Sequence, residues 1–537
     1  MHGDEAVHAI KLHTLWETGS YVYDPNEYHG PTLYYLTLPI LKLAGCRSFA
    51  DFTETQLRLL PAILGALLVP LLWLLREVLG GWGMLTAGAM TATLTAMVFY
   101  SRYYIQETLL VFFTFLLIAS AWRSLHTRRL GWAVLAGAGA GMMHATKETC
   151  LIQFGCLGAA ACIARVWLGR EQRSSTRPGP RTGSSVMRMF TVALAAALVV
   201  SVSFYSAFFT EWRGPLDSIL TYQTYFDRAG SYGLHDHPWH YYLAILLRHQ
   251  AAPGPVWTEA PILGLFLVGA VLTLFLKPRS WCPPPPALFI QGPRAEVESG
   301  AGTGPANQQA KEDPTTVRSF RRFLVLYTLL LTVAYCAIPY KTPWCLLGFL
   351  HGMVLTAGAG VEVIRERWGR AGRRKRVFGV CAVLVLGASC GRLAAQSIRS
   401  NGRFRADNRN PYVYAHPVGD LLNMIGFVER LAAVHPAGRG MTIQIASPGS
   451  DYWPLPWYLR AYVNVGYWDD LPAAIEAPVL ILDSRLLVPL KSRNPGWEHV
   501  FLYGSRPDVR LAVCVEESLW ERFVRSAATP VASGAKD

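Results

Sequence analysis

A pair of carboxylates, Asp4 and Glu5, stands at the head of the chain, and three basic residues follow at wide intervals: Arg102 in FYSRYYIQETLL, Lys147 in ATKETC and Lys341 in AIPYKTPWCLL. Carboxylates move protons, and Arg or Lys side chains stabilise an anion that gains charge during a reaction. Tyr28-His29-Gly30-Pro31, Glu107, Glu148 and the loop from His235 to Tyr242 add aromatic and ionisable groups. They form a set only if the fold carries them to one place, and the chain between them is mostly apolar.

Each has a plainer reading. An adjacent carboxylate pair is commonly a solvated surface feature, and a basic residue at the end of an apolar run can snorkel to a membrane surface as an anchor. Aromatics of the 235–242 loop can belong to an interfacial belt. The three basic positions stand out because they fall at the same depth and on the same side once the intervening spans are assigned.

The 537 residues are 52% hydrophobic and 16% charged, with a mean hydropathy of +0.24, too apolar for an ordinary soluble chain. A net charge of +14 would suit nucleic acid, but the basic residues cluster in short loops, at Arg123, Arg128 and Arg129 and at 165–188, 318–322 and 365–376. That distribution orients helices in a bilayer and makes no phosphate-tracking groove, so no nucleic-acid partner is expected. Most of the ten cysteines lie in apolar spans, where they pack, and no disulfide framework is implied.

About ten spans are expected, at 57–77, 82–100, 103–122, 130–146, 149–168, 187–209, 259–277, 323–339, 343–363 and 377–396, against a need of about 20 residues per crossing. With the basic loops placed inside, residues 1–56 and 211–258 fall outside, together with every residue singled out above. YHGPTLYYLTLPILKLAG suits a helix lying in the interface. The Pro- and Gly-rich segment 278–317 reads as a disordered inside linker. Beyond 398 the pattern changes: MTIQIASPGS and APVLILDSRLLV read as buried strands and PVGDLLNMIGFVERLAAV as an amphipathic helix. The expected architecture is an all-α polytopic membrane protein with an extracytoplasmic loop over 1–56, a transmembrane domain over 57–397 and a small extracytoplasmic α/β domain over 398–537.

In their order, Asp-Glu, His-Gly-Pro-x-x-Tyr-Tyr, Ser-Arg-Tyr-Tyr-x-x-Glu, the Lys-Glu turn, His-Pro-Trp-x-Tyr-Tyr and Tyr-Lys-Thr-Pro-Trp resemble the polyprenyl-phosphate-sugar-dependent glycosyltransferases of GT-C type. These include the protein O-mannosyltransferases and the lipid A aminoarabinose transferases. The pattern is most similar to the prokaryotic flippase-activity-associated subgroup, near glycosyltransferase family 39. The resemblance runs from about residue 3 to 363, with RNPYVYAH and DYWPLPWYLR extending it towards the C-terminus.

The resemblance implies transfer of a sugar from a polyprenyl-phosphate donor to an acceptor hydroxyl on a protein or glycolipid, with inversion, at the outer face of the cell membrane. Asp4 then takes the part of the base and Glu5 supports it, while Arg102, Lys147 and Lys341 hold the leaving phosphate. His29, Tyr103, Glu107, His237, Trp239 and Tyr241 line the substrate pocket. His235, Asp236, His237 and His240 offer groups for a divalent metal but no closed ligand set, so no metal site is assigned. The resemblance also implies a transmembrane helix directly before Asp4, so an apolar stretch of about 20 residues is expected upstream in the reading frame. A rival reading is a non-catalytic protein that assists movement of lipid-linked sugars. Transport would place ionisable groups near the bilayer midplane, whereas here they sit at the rim.

Overall fold

The computed structural model describes residues 1–26, 29–173, 183–229, 235–276, 314–368 and 373–528. Tyr28 and most of the expected inside linker, 278–317, lie outside the described residues. The architecture is a helical membrane bundle followed by a small C-terminal sheet domain.

Helix α1 (Gly3–Thr18) is capped by His2, whose ring accepts from the Asp4 amide, while the Glu5 carboxylate returns to the His2 amide. This reciprocal pair satisfies amides that a helix start leaves open. Helix α2 (Thr32–Leu43) follows, with a proline at position 39.

Among the described residues, seven segments are long and apolar enough to cross a membrane. The first, Glu54–Thr93, spans 40 residues and is two arms, not one rod. Gly80 breaks it with φ 64° and ψ 178°, and Gly88 on the second arm lies against Val69 and Leu72 of the first. The others are Glu107–Thr127, Cys150–Gly169, Ser185–Tyr205, Thr315–Ala337, Pro343–Arg367 and Gly379–Asn401. Of the ten expected spans, 130–146 and 259–277 appear as shorter helices, Leu130–His144 and Ala260–Phe275, of 15 and 16 residues.

Pro343–Arg367 is the centre of the bundle, with 83% of its apolar window buried, whereas Ser185–Tyr205 buries only 6% and presents its apolar side chains outward. Where helices meet most closely the contact is made by small residues: a Cβ on Gly83 would lie 2.4 Å from the Gly358 carbonyl oxygen. Such contacts let backbones approach in a medium that supplies no hydrophobic drive between helices.

The charges sort to two ends. Arg123 binds Glu77 at 2.5 Å, Arg321 binds Glu366 at 2.9 Å and Arg365 pairs with Glu362 at one end. Glu107, sixteen residues before Arg123 on one helix, is therefore about 24 Å away at the other end. Lys147 and Lys341 join Glu107 at that end: Lys147 pairs with it directly, and Lys341 follows the helix on which Arg321 stands at the far side.

The C-terminal sheet has strands β1 (Ile443–Ala446), β2 (Val465–Trp468), β3 (Val479–Asp483), β4 (His499–Arg506) and β5 (Val509–Val515) in the order β2-β1-β3-β5-β4. The first three are parallel and the last two join antiparallel. The two expected strands are β1 and β3, both fully buried, and the expected amphipathic helix is Gly419–Val434. One sheet face packs on that helix and on Glu517–Ala528, and the other on Leu486, Leu490 and Trp497.

Candidate active site

The two N-terminal carboxylates, adjacent in sequence, have opposite environments. Glu5 is fully buried. It accepts from Arg58 Nε at 2.7 Å and Nη2 at 2.6 Å, from the Tyr104 amide at 2.9 Å and from the His2 amide at 2.9 Å. Burial alone would raise its pKa, but the Arg58 charge and hydrogen bonds outweigh it and hold the carboxyl at about 2. Asp4 is exposed, with the His2 ring 4.0 Å away, and its charge reaches His235 and Tyr414. Glu5 is a strut and Asp4 is the accessible carboxylate.

A cluster of aromatic and imidazole groups stands around His2, next to Asp4. The His2 ring nitrogen Nε2 lies 2.7 Å from the Tyr414 carbonyl, and its ring is 4.9 Å from His416, 5.9 Å from Trp344 and 6.2 Å from Tyr103. His235 Nδ1 contacts the Tyr414 hydroxyl. Tyr103, buried, also carries the Arg58 guanidinium over its face at 5.9 Å.

The three basic candidates separate by partner. Lys147 pairs with Glu107 inside the protein, and although burial opposes ionisation, Glu107 raises the ammonium pKa. Arg102 donates to Asn401, to the backbone oxygen at 3.1 Å and to the side-chain oxygen. Its pKa is pushed down by burial and by Arg58 and Arg405 nearby, a local excess of positive charge. The Lys341 ammonium donates to the carbonyls of Ile338, of His237 at 3.0 Å and of Pro339 at 3.4 Å. The hydrogen-bond partners of Arg102 and Lys341 are thus neutral, which leaves both charges available to an anion.

The 235–242 loop is fixed against the Lys341 turn, since the Lys341 amide donates to the His235 carbonyl at 2.9 Å and the His237 amide to that of Pro339 at 3.1 Å. His237 stacks on Tyr241 at 4.1 Å. Trp239 is two-thirds exposed and meets His240 edge-on at 5.5 Å. Among the described residues no group of three or more His, Cys, Asp or Glu side chains gathers to hold a metal.

His29 and Glu148 form a second tie. Glu148 accepts from the His29 amide at 2.7 Å, from the Tyr23 hydroxyl at 3.0 Å, and contacts His29 Nδ1 at 3.3 Å. Burial would raise its pKa, but the His29 hydrogen bonds and charge bring it to about 2. Gly30 follows because space allows nothing larger: a Cβ there would sit 2.1 Å from the Ala145 carbonyl oxygen. The His-Gly-Pro motif thereby docks α2 on the Lys147-Glu148 turn.

Sequence reasoning missed Arg58, His2, Tyr414 and His416. Arg58 left a signal as a charge near the start of the expected 57–77 span, and Tyr414 and His416 lie within RNPYVYAH.

A helical membrane bundle with its charged site at one end and a small α/β domain beyond it is the GT-C fold. Over nearly its whole length the chain is similar to ArnT from Cupriavidus metallidurans in the apo state, with 13% identity, a TM-score of 0.54 and coverage of 96% of this chain and 94% of that one. The same protein bound to undecaprenyl phosphate gives a TM-score of 0.55 at the same identity and coverage. Residues 32–212 match the family model of dolichyl-phosphate-mannose-protein mannosyltransferase. That stretch contains Arg102, Glu107, Lys147 and Glu148. The sequence matches no curated protein.

Proposed function

We propose that this protein is a membrane glycosyltransferase that moves a sugar from a polyprenyl-phosphate donor to an acceptor hydroxyl at the extracytoplasmic face, inverting the anomeric centre. The observation that carries this reading is the pairing of an exposed carboxylate, Asp4, with two cations, Arg102 and Lys341, whose hydrogen-bond partners are neutral. The donor's bond between the anomeric carbon and the phosphate oxygen breaks, and its electron pair leaves with the phosphate. Arg102 and Lys341 stabilise the charge that develops there. The acceptor oxygen attacks the opposite face of the sugar carbon while Asp4 takes the hydroxyl proton. Lys147, neutralised by Glu107, has a positioning part in this scheme. The undecaprenyl phosphate in the ArnT structure and the mannosyltransferase family match support a lipid-phosphate donor. The acceptor is a protein or glycolipid hydroxyl.

The test is transfer of labelled sugar from a panel of undecaprenyl-phosphate sugars by the purified membrane protein, which should release undecaprenyl phosphate in step with product. Donor binding without any release from every sugar of the panel, with acceptor extracts supplied, would overturn the transferase reading.

A further inference from the structure

Besides Tyr414 and His416, the C-terminal domain reaches the N-terminus of α1 through the segment 451–460. Trp457 is buried against the α1 cluster, and Arg460 donates to the Phe52 carbonyl at 2.8 Å; these two fasten the segment down. Tyr452 and Trp453 do not share that burial. Trp453 lies over Gly3, with 3.9 Å between its Cβ and the position a Gly3 Cβ would take, one residue from Asp4. The Trp453 ring is followed by Tyr452 at 5.9 Å and then by Tyr467 at 4.9 Å, so partly buried rings run from the α1 start onto the sheet.

This run ends at a place where sheets of this type bind ligands. After β1 the chain crosses one face of the sheet, where Leu455 and Leu459 pack, while after neighbouring β3 it crosses the other, where Leu486 and Leu490 pack. A crevice opens at the carboxyl ends of adjacent strands whose connections part in this way. At its floor Ser447 is fully buried, and its hydroxyl has no hydrogen-bond partner among the described residues. At its rim Asp451 is held by Arg485 at 2.8 Å and by Arg506. The Arg485 side chain also binds Asp483 and remains more than half exposed.

We propose that Trp453, Tyr452 and Tyr467, with the Asp451-Arg485-Arg506 group, form a pyranose-binding subsite that leads to Asp4. Pyranose rings present flat arrays of C–H groups that pack on aromatic faces, and their hydroxyls take hydrogen bonds from fixed carboxylate and guanidinium groups. The proposal rests on the transferase reading. The sugar can belong to the acceptor or to the donor, and the experiment separates the two.

The full chain in detergent is titrated with manno-oligosaccharides of two to four units, followed by ligand-observed NMR, alongside separate titration with undecaprenyl phosphate and with an undecaprenyl-phosphate sugar. Trp453→Ala should weaken oligosaccharide binding about tenfold or more, since it removes the apolar face on which the sugar ring packs, and Trp453→Phe should restore most of it. Undecaprenyl phosphate should bind parent and variant alike. If the variant loses only the sugar contribution to donor binding, the subsite serves the donor; if it loses oligosaccharide binding, it serves the acceptor. Equal saccharide binding by parent, Trp453→Ala and Arg506→Gln, or none by any of them with the donor bound normally, overturns the subsite while leaving the transferase reading in place. Loss of undecaprenyl phosphate binding in Arg102→Gln but not in Trp453→Ala tests that reading separately.

Discussion

Asp4 and Glu5 differ by one position and by nearly everything else, and their variants should fail differently. Glu5→Gln removes the buried carboxylate that Arg58 grips and leaves the guanidinium on Glu54 alone, which weakens the tie between α1 and the first membrane segment. The expected result is a lower unfolding temperature in detergent at neutral pH. The pH dependence follows from the carboxyl's low pKa, about 2 in the fold against 4.5 ordinarily. A depressed carboxyl contributes stability that is complete above about pH 4.5 and is lost as pH falls toward 2. The gap between parent and variant should therefore close over that window, and a gap unchanged from pH 7 to 3 would refute the strut role. Arg102→Gln and Lys341→Met should each weaken donor binding by about 1.5–3 kcal/mol, roughly ten- to a hundredfold, since each removes a charge-assisted contact. Lys147→Met should act instead through stability, because its partner Glu107 is left buried and unpaired. The residue types at this site were legible in the chain, and so was their shared depth. Their partners were not: Arg58 binds Glu5 across 53 positions and Arg102 binds Asn401 across 299, and no local pattern encodes such distances.

At the scale of elements, two glycines hold the arrangement in place. Gly80 turns the first membrane segment back at φ 64°, and a Cβ there would meet the Glu362 carboxyl carbon at 2.1 Å. Gly30 seats α2 on the Lys147-Glu148 turn. Gly30→Ala must displace backbone at Ala145, and overpacking of this sort costs about 1–3 kcal/mol; a lowered unfolding temperature with disturbed donor binding is expected, and parental values in both would contradict the docking described. The sequence reading found the helices by apolar run length, yet it drew 130–146 and 259–277 as full crossings where the helices are 15 and 16 residues long. Apolar character persists past the point where backbone geometry ends a helix. In the sheet, β1 and β3 were legible because both faces of each are covered, giving unbroken apolar runs. Strand β2 lies at the sheet edge and none of its residues is fully buried, and β4 and β5 meet at Pro507-Asp508 with Asp508 at φ 63°, a turn without the glycine that marks hairpins.

For the molecule as a whole, the arrangement requires every functional element to face one side. Acidic and basic residues pair at both ends of the bundle, so charge alone does not tell the ends apart; the excess of Lys and Arg in the expected inside loops does. A phosphatase reporter fused after residue 400 should be active outside the membrane. Activity only on the cytoplasmic side would split the Asp4 end from its proposed compartment. The fold class was legible because membrane spans are written in composition, while the docking of segment 451–460 on α1 emerges only when distant parts of the chain meet.

If Asp4 withdraws the acceptor proton, turnover by full-length Asp4→Asn, with donor binding measured on the same sample, reports its role without an intermediary. The substitution keeps the shape and removes the basicity. Turnover should fall by about 10²- to 10⁴-fold, with donor affinity close to that of the parent and the unfolding temperature unchanged, since Asp4 is exposed. Transfer at the parental rate by Asp4→Asn would place the base elsewhere and contradict the account.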